Sequence, residues 1–156
     1  MLEIKSVGIV SPRNSKPRKR TTCIAVHCSA TAPEQDVGAR EIDRWHRAQG
    51  WACIGYHFVI RRDGTVEAGR NPELPGAHVA GHNHYTLGVC MVGGVDANGK
   101  PENNFTPAQF ATLAGLLTEL RKEWPAVTEV KGHRDFPGVK KACPSFDVRA
   151  WIKSLP

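Results

Sequence analysis

Residues 23–28 read CIAVHC, from Cys23 to Cys28. The run is short, apolar and β-branched enough to form a buried strand. Alternate side chains of a strand share a face, so Cys23, Ala25 and His27 point one way and Ile24, Val26 and Cys28 the other. His27 and Cys28, although adjacent, are therefore not expected to bind one ion. His27 falls near the strand end, and Ser29-Ala30-Thr31 after it reads as a loop. A histidine so placed can reach a cleft. The plain alternative is a hydrogen-bonded structural histidine.

Outward from this strand, strand-like and helix-like blocks alternate. Residues 37–49 (VGAREIDRWHRAQ) place Ile42 and Trp45 on one face, with Arg40, Glu41, Arg44 and Arg47 largely elsewhere, which predicts a surface helix. Tyr56 to Ile60, then Arg61-Arg62-Asp63-Gly64 and Thr65 to Glu67, predict a hairpin, because Asp-Gly supports the positive φ of a tight turn. Residues 87–92 (LGVCMV) are a further apolar run closed by Gly93-Gly94. A long helix is expected from Thr106: Thr106 caps it, Pro107 suits its first turn and Gln109 completes a capping box. Phe110, Leu113, Leu117, Leu120 and Trp124 make its apolar stripe, and Pro125 stops it. Residues 127–131 (VTEVK) predict a strand and residues 146–155 a terminal helix. Strands interleaved with helices, one hairpin among them, predict a single α/β (α+β) domain around a mixed sheet.

With 156 residues, 40% hydrophobic and 23% charged, the chain is long enough for one domain with a sizeable core. No apolar run approaches the ~20 residues of a membrane span. Residues 1–20 contain no apolar core of the length a secretory signal needs, so a cytoplasmic location is expected. Most of the net charge of +6 belongs to those residues: Lys5, Arg13, Lys16, Arg18, Lys19 and Arg20 oppose Glu3 alone. This predicts a basic, flexible leader over 1–20 and a nearly neutral domain over 21–156. Such an arm can bind nucleic acid, an anionic wall or membrane surface, or an acidic protein patch; its plain reading is a solvated segment. The five cysteines, Cys23, Cys28, Cys53, Cys90 and Cys143, are odd in number and are expected to stay reduced.

Seven histidines are present, and none forms a zinc-finger or H-E-x-x-H pattern, so any metal site must be assembled across the fold. His133 follows the strand 127–131, and Cys143 lies ten residues further on, beyond a loop holding Pro137 and Gly138 that can fold back. With His27 they would offer two imidazoles and a thiolate. That set suits tetrahedral zinc and leaves a fourth position open, as in catalytic sites. The rival is a nucleophilic Cys143 with His133 as its base and Lys140 and Lys141 lowering its pKa. His46 and His57 fall among packing and helix residues and read as structural. His82 and His84 read as loop residues. Of the tryptophans only Trp51 is a candidate groove residue.

Six stretches carry a resemblance over about residues 21–152: VHCSAT (Val26–Thr31), VGAREIDRWHRAQGW (Val37–Trp51), GYHFVIRRDGTVEAGR (Gly55–Arg70), LGVCMVGG (Leu87–Gly94), NFTPAQ (Asn104–Gln109) and KACPSFD (Lys141–Asp147). Together they resemble the zinc-dependent N-acetylmuramoyl-L-alanine amidases of the peptidoglycan-recognition-protein superfamily. The resemblance implies a central mixed β-sheet flanked by helices. It implies His27, His133 and Cys143 as Zn2+ ligands, Tyr56 and Lys141 as the catalytic pair of phage members, and His78 and Asn83 in the substrate groove. The loop between His133 and Cys143 is longer here than in phage members. The substrate implied is peptidoglycan or a soluble muropeptide, cut between the lactyl group of N-acetylmuramic acid and L-alanine. A phage or prophage endolysin is the leading expectation. A cytosolic muropeptide-recycling amidase and a non-catalytic peptidoglycan-binding module are the alternatives. A phage member also inhibits its phage RNA polymerase, which makes that polymerase a further candidate partner. A monomer without direct nucleic-acid binding is expected.

Overall fold

The computed structural model describes residues 2–156. Its elements are β1 (Ile4–Lys5), β2 (Cys23–Cys28), α1 (Ala39–Ala48), β3 (Phe58–Ile60), β4 (Val66–Ala68), β5 (Thr86–Met91), α2 (Pro107–Glu123), β6 (Glu129–Gly132) and α3 (Val148–Lys153). The strands form one sheet in the order β1-β4-β3-β5-β2-β6. Only the β3–β4 hairpin is antiparallel; the other four pairings are parallel. The hairpin turns at Gly64, whose φ is +89°, and Asp63 accepts from the Thr65 N–H at 2.9 Å.

Strand β2 lies one in from the β6 edge, with β5 on its other side, and all six of its residues are buried. Its alternation is the one expected. Ile24, Val26 and Cys28 join a core with Leu113, Leu116, Leu117 and Leu120 of α2 and Val148 of α3. Cys23 and Ala25 pack on the opposite face against Val79 and Phe136. A further cluster on the hairpin and β5 holds Ile42 of α1 with Ile54, Val59 and Cys90. Each fully buried leucine contributes on the order of 1.5–3 kcal/mol, so the α2 seam is a major term in the stability of the fold.

The caps follow the sequence. Thr106 accepts from the Gln109 N–H at 3.1 Å, and the Gln109 side chain returns the bond to the Thr106 N–H at 3.0 Å. Gln109 is itself buried and donates to the carbonyls of Ile60 and Val92, tying α2 to two strands. The terminal helix begins two residues later than expected, because Asp147 accepts from the Ala150 N–H and caps it there.

The leader departs from the expectation of a free arm. β1 adds a parallel edge strand beside β4, and Val7 and Ile9 pack toward Ile42 and Val59. Arg40 and Arg47 of α1 donate to the carbonyls of Val7 and Val10. Arg18 donates to the carbonyls of Pro72 and Leu74 at 2.6 and 2.5 Å. The physical reason is the demand of backbone groups for partners: an edge strand and three arginines supply them. Charge counting could not register this. Lys5, Arg13, Lys16, Lys19 and Arg20 remain exposed. Among the described residues no helix is long and apolar enough to cross a membrane.

Candidate metal centre and groove

Parallel pairing of β2 with β6 sets Val26 opposite Gly132, so the next residues, His27 and His133, emerge side by side at the strand ends. Their ring centroids are 4.7 Å apart. The loop after His133 doubles back, with the Arg134 N–H donating to the Cys143 carbonyl at 2.9 Å. This brings the Cys143 thiol to 3.9 Å from His27 Nδ1. One donor atom each from His27, His133 and Cys143 lies within 4.8 Å of the others. Tetrahedral zinc holds such donors about 3.4–3.6 Å apart, from Zn–N of ~2.0–2.1 Å and Zn–S of ~2.3 Å. Small side-chain rotations close the difference, so the three residues fit the ion.

Protonation supports the same fit. Burial, with the nearby charges of His133 and Lys141, holds His27 well below the usual imidazole range. Burial and Lys141 lower His133 as well. Both rings therefore favour the neutral form that ligates a metal. The neighbouring Cys28 and Cys143 thiols compete for a single negative charge, which pushes Cys143 up and draws Cys28 down to about 7. Only Cys143 faces the imidazoles, and it accepts the Cys28 backbone N–H at 3.3 Å. A cation among the three donors therefore selects the Cys143 thiolate.

The Tyr56 ring lies 5.0 Å from the His27 ring, and burial pushes its hydroxyl well above the usual phenol range, so it remains a proton donor. Lys141 is exposed and lines, with His133, Lys140 and the 40%-exposed Trp51, a groove of about 710 Å3. None of the residues lining that groove is acidic. His78 and Asn83 also line it. Asn83 accepts from the backbone N–H groups of His78 and Val79, both at 3.0 Å, and so shapes the loop. His78 is buried, 2.8 Å from His27 Nε2, a contact that no spacing in the sequence announces. His57 and His46 serve packing: His57 accepts the Gly88 N–H, and His46 accepts the Gly55 N–H and packs on Trp51. Buried Glu67 serves the fold: it accepts from the Ala39 N–H at the start of α1 and pairs with Arg61.

The fold that carries this cluster is shared with peptidoglycan amidases. The amidase LysC of Clostridium intestinale URNW superposes with a TM-score of 0.80 at 27% identity, over 94% of this chain and 91% of its own. The endolysin of Enterobacteria phage K11 is 53% identical over 137 residues, 88% of this chain and 89% of that protein. The endolysin of Escherichia phage T7 is 52% identical over 136 residues, 87% and 88% of the two chains. Residues 17–146 match the N-acetylmuramoyl-L-alanine amidase family Amidase_2, and the chain belongs to that family. It is an amidohydrolase of peptidoglycan, cleaving the bond between the lactyl group of N-acetylmuramic acid and L-alanine.

Proposed function

We propose that the chain is a zinc-dependent endolysin whose metal is held by His27, His133 and Cys143. The observation that carries this is the convergence of those three donors from two strands and a loop, with ligand atoms within 4.8 Å. When bound, zinc supplies Lewis acidity toward the scissile carbonyl and lowers the pKa of a coordinated water. The Cys143 thiolate leaves the site a formal charge of about +1, since it offsets one of the ion's two charges. Lys141, which lines the groove with His133, supplies positive charge for the oxyanion that grows on the scissile carbonyl. Tyr56, protonated by its burial, donates its hydroxyl proton in a hydrogen bond to the same oxygen or orients the attacking water. One such donor contributes on the order of 3 kcal/mol to an acyl-transfer transition state. Trp51 offers an apolar platform to the substrate, and Asn83 holds the groove-lining loop at His78 and Val79. The acid-free lining with Lys140 and Lys141 suits a stem peptide, which carries free carboxylates.

The endolysin role, with a cytoplasmic store released at membrane breach, rests on the two phage endolysins at 52% and 53% identity. The test uses purified sacculi and soluble muropeptides with the zinc-loaded chain. Clearing of sacculi should accompany the release of L-alanine amino groups, stop with a chelator and return with zinc. Cys143→Ser and His133→Ala should each lose zinc and cleavage together. Full zinc occupancy in both variants would overturn the ligand set. Cleavage confined to soluble muropeptides would favour recycling over lysis. Inactivation by alkylation without dependence on metal would favour a thiol nucleophile.

A further inference from the structure

Two buried side chains behind the metal cluster, Thr86 and His78, form a chain of hydrogen bonds to His27 that runs in one direction. The Thr86 hydroxyl has one proton, which it donates to the His82 carbonyl at 2.8 Å. Toward His78 Nε2, 3.3 Å away, it can therefore only accept, so that nitrogen carries the His78 proton. A neutral imidazole has a single N–H, and His78 Nδ1 is left as an acceptor. It lies 2.8 Å from His27 Nε2, which must donate to it. His27 Nδ1 then presents its lone pair, and Nδ1 is the atom 3.9 Å from the Cys143 sulfur.

The His78 ring is also gripped. A Cβ on Gly88 would stand 2.8 Å from its Cδ2, and one on Gly76 would stand 2.6 Å from the same atom. The His57 ring packs edge-on behind it at 5.6 Å. Two bare backbone positions thus form a slot that admits this ring and holds it in plane. Both His78 nitrogens are engaged within the protein, so neither is free to bond a substrate in the groove.

We infer that His78 is a positioning residue that, with Thr86, presets the tautomer and the plane of His27 for metal binding through Nδ1. This rests on the zinc reading of His27, His133 and Cys143. Partners of this kind orient metal-bound imidazoles, and their loss typically costs about 10–100-fold in metal affinity.

The test measures zinc affinity of the full-length chain by competition with a chromogenic chelator. His78→Leu should bind zinc about 10–100-fold more weakly. His78→Asn places Oδ1 where Nδ1 was and should recover most of that loss. Thr86→Val should weaken binding and Thr86→Ser should restore it. Equal affinity of wild type and a folded His78→Leu overturns the inference, as does His78→Asn binding no better than His78→Leu. If His78→Leu fails to fold, the Thr86 pair decides, and equal affinities there overturn the inference. Two-bond proton–nitrogen spectra of the wild-type chain give an independent reading: His27 should carry its proton on Nε2, and a proton on Nδ1 would overturn the inference. A wild type that binds no zinc overturns the zinc reading instead, and the spectra alone then judge the tautomer.

Discussion

At the scale of single residues, Tyr56 and Lys141 approach the metal cluster without belonging to it. Tyr56 is reached from the His27 ring at 5.0 Å, and Lys141 makes its influence felt as a charge on His27 and His133. Tyr56→Phe and Lys141→Ala should therefore each lower kcat on the order of 10²-fold while keeping zinc at wild-type occupancy. Unchanged turnover, measured beside metal content, would remove the role of that residue. His57 bears on acid stability. Burial and the charge of Arg18 lower its pKa from 6.5 to about 3, so the unfolded chain binds its proton first. Stability is complete above pH ~6.5 and falls toward pH ~3 by about 1.4 kcal/mol per pH unit from this group. Urea midpoints of the zinc-free chain between pH 7 and pH 5 should fall more steeply in wild type than in His57→Gln. Parallel slopes would contradict the assignment.

At the scale of elements, the site depends on register. A parallel β2–β6 pair with Val26 opposite Gly132 puts two histidines distant in sequence side by side. Neither strand announces that pairing, because β6 has only four residues and turns at once into the His133–Asp135 3-10 turn. Asp135 accepts from the Gly132 N–H at 2.9 Å and fixes that turn. Helix α2 is the opposite case: its start, cap and apolar stripe are all local signals and could be read directly. Thr106→Ala removes the cap and should lower unfolding stability by about 1 kcal/mol, with the zinc site intact. Chemical denaturation beside metal analysis checks both halves of that expectation. The sequence reading gave Gln109 only a capping role and left Leu116 out, yet both are buried, at four- and three-residue spacing from Leu113 on the same face.

For the whole molecule, the leader is the largest departure. Its composition reads as a solvated arm, yet its backbone extends the sheet and Arg18 is partly buried against the loop of Pro72 and Leu74. That loop runs into Gly76 and His78, so the leader braces the segment behind the metal cluster. Arg18→Ala should destabilise the chain by about 2 kcal/mol, the scale of hydrogen bonds to a charged donor. Its thermal unfolding should shift while Lys19→Ala, an exposed neighbour, leaves it unchanged. Equal shifts for the two would mean that Arg18 acts only through its charge.

The sequence by itself determined the alternating elements, the capped helix, the two faces of β2 and the set of stretches that carries the family. Those are local periodicities or contiguous patterns, so neighbours along the chain suffice to specify them. Only the tertiary structure decided that His27 meets His133 through a parallel register, that His78 stands behind them, and that the leader belongs to the sheet. Each of these joins groups far apart in sequence, and such contacts are set by packing and hydrogen-bond satisfaction over the whole fold.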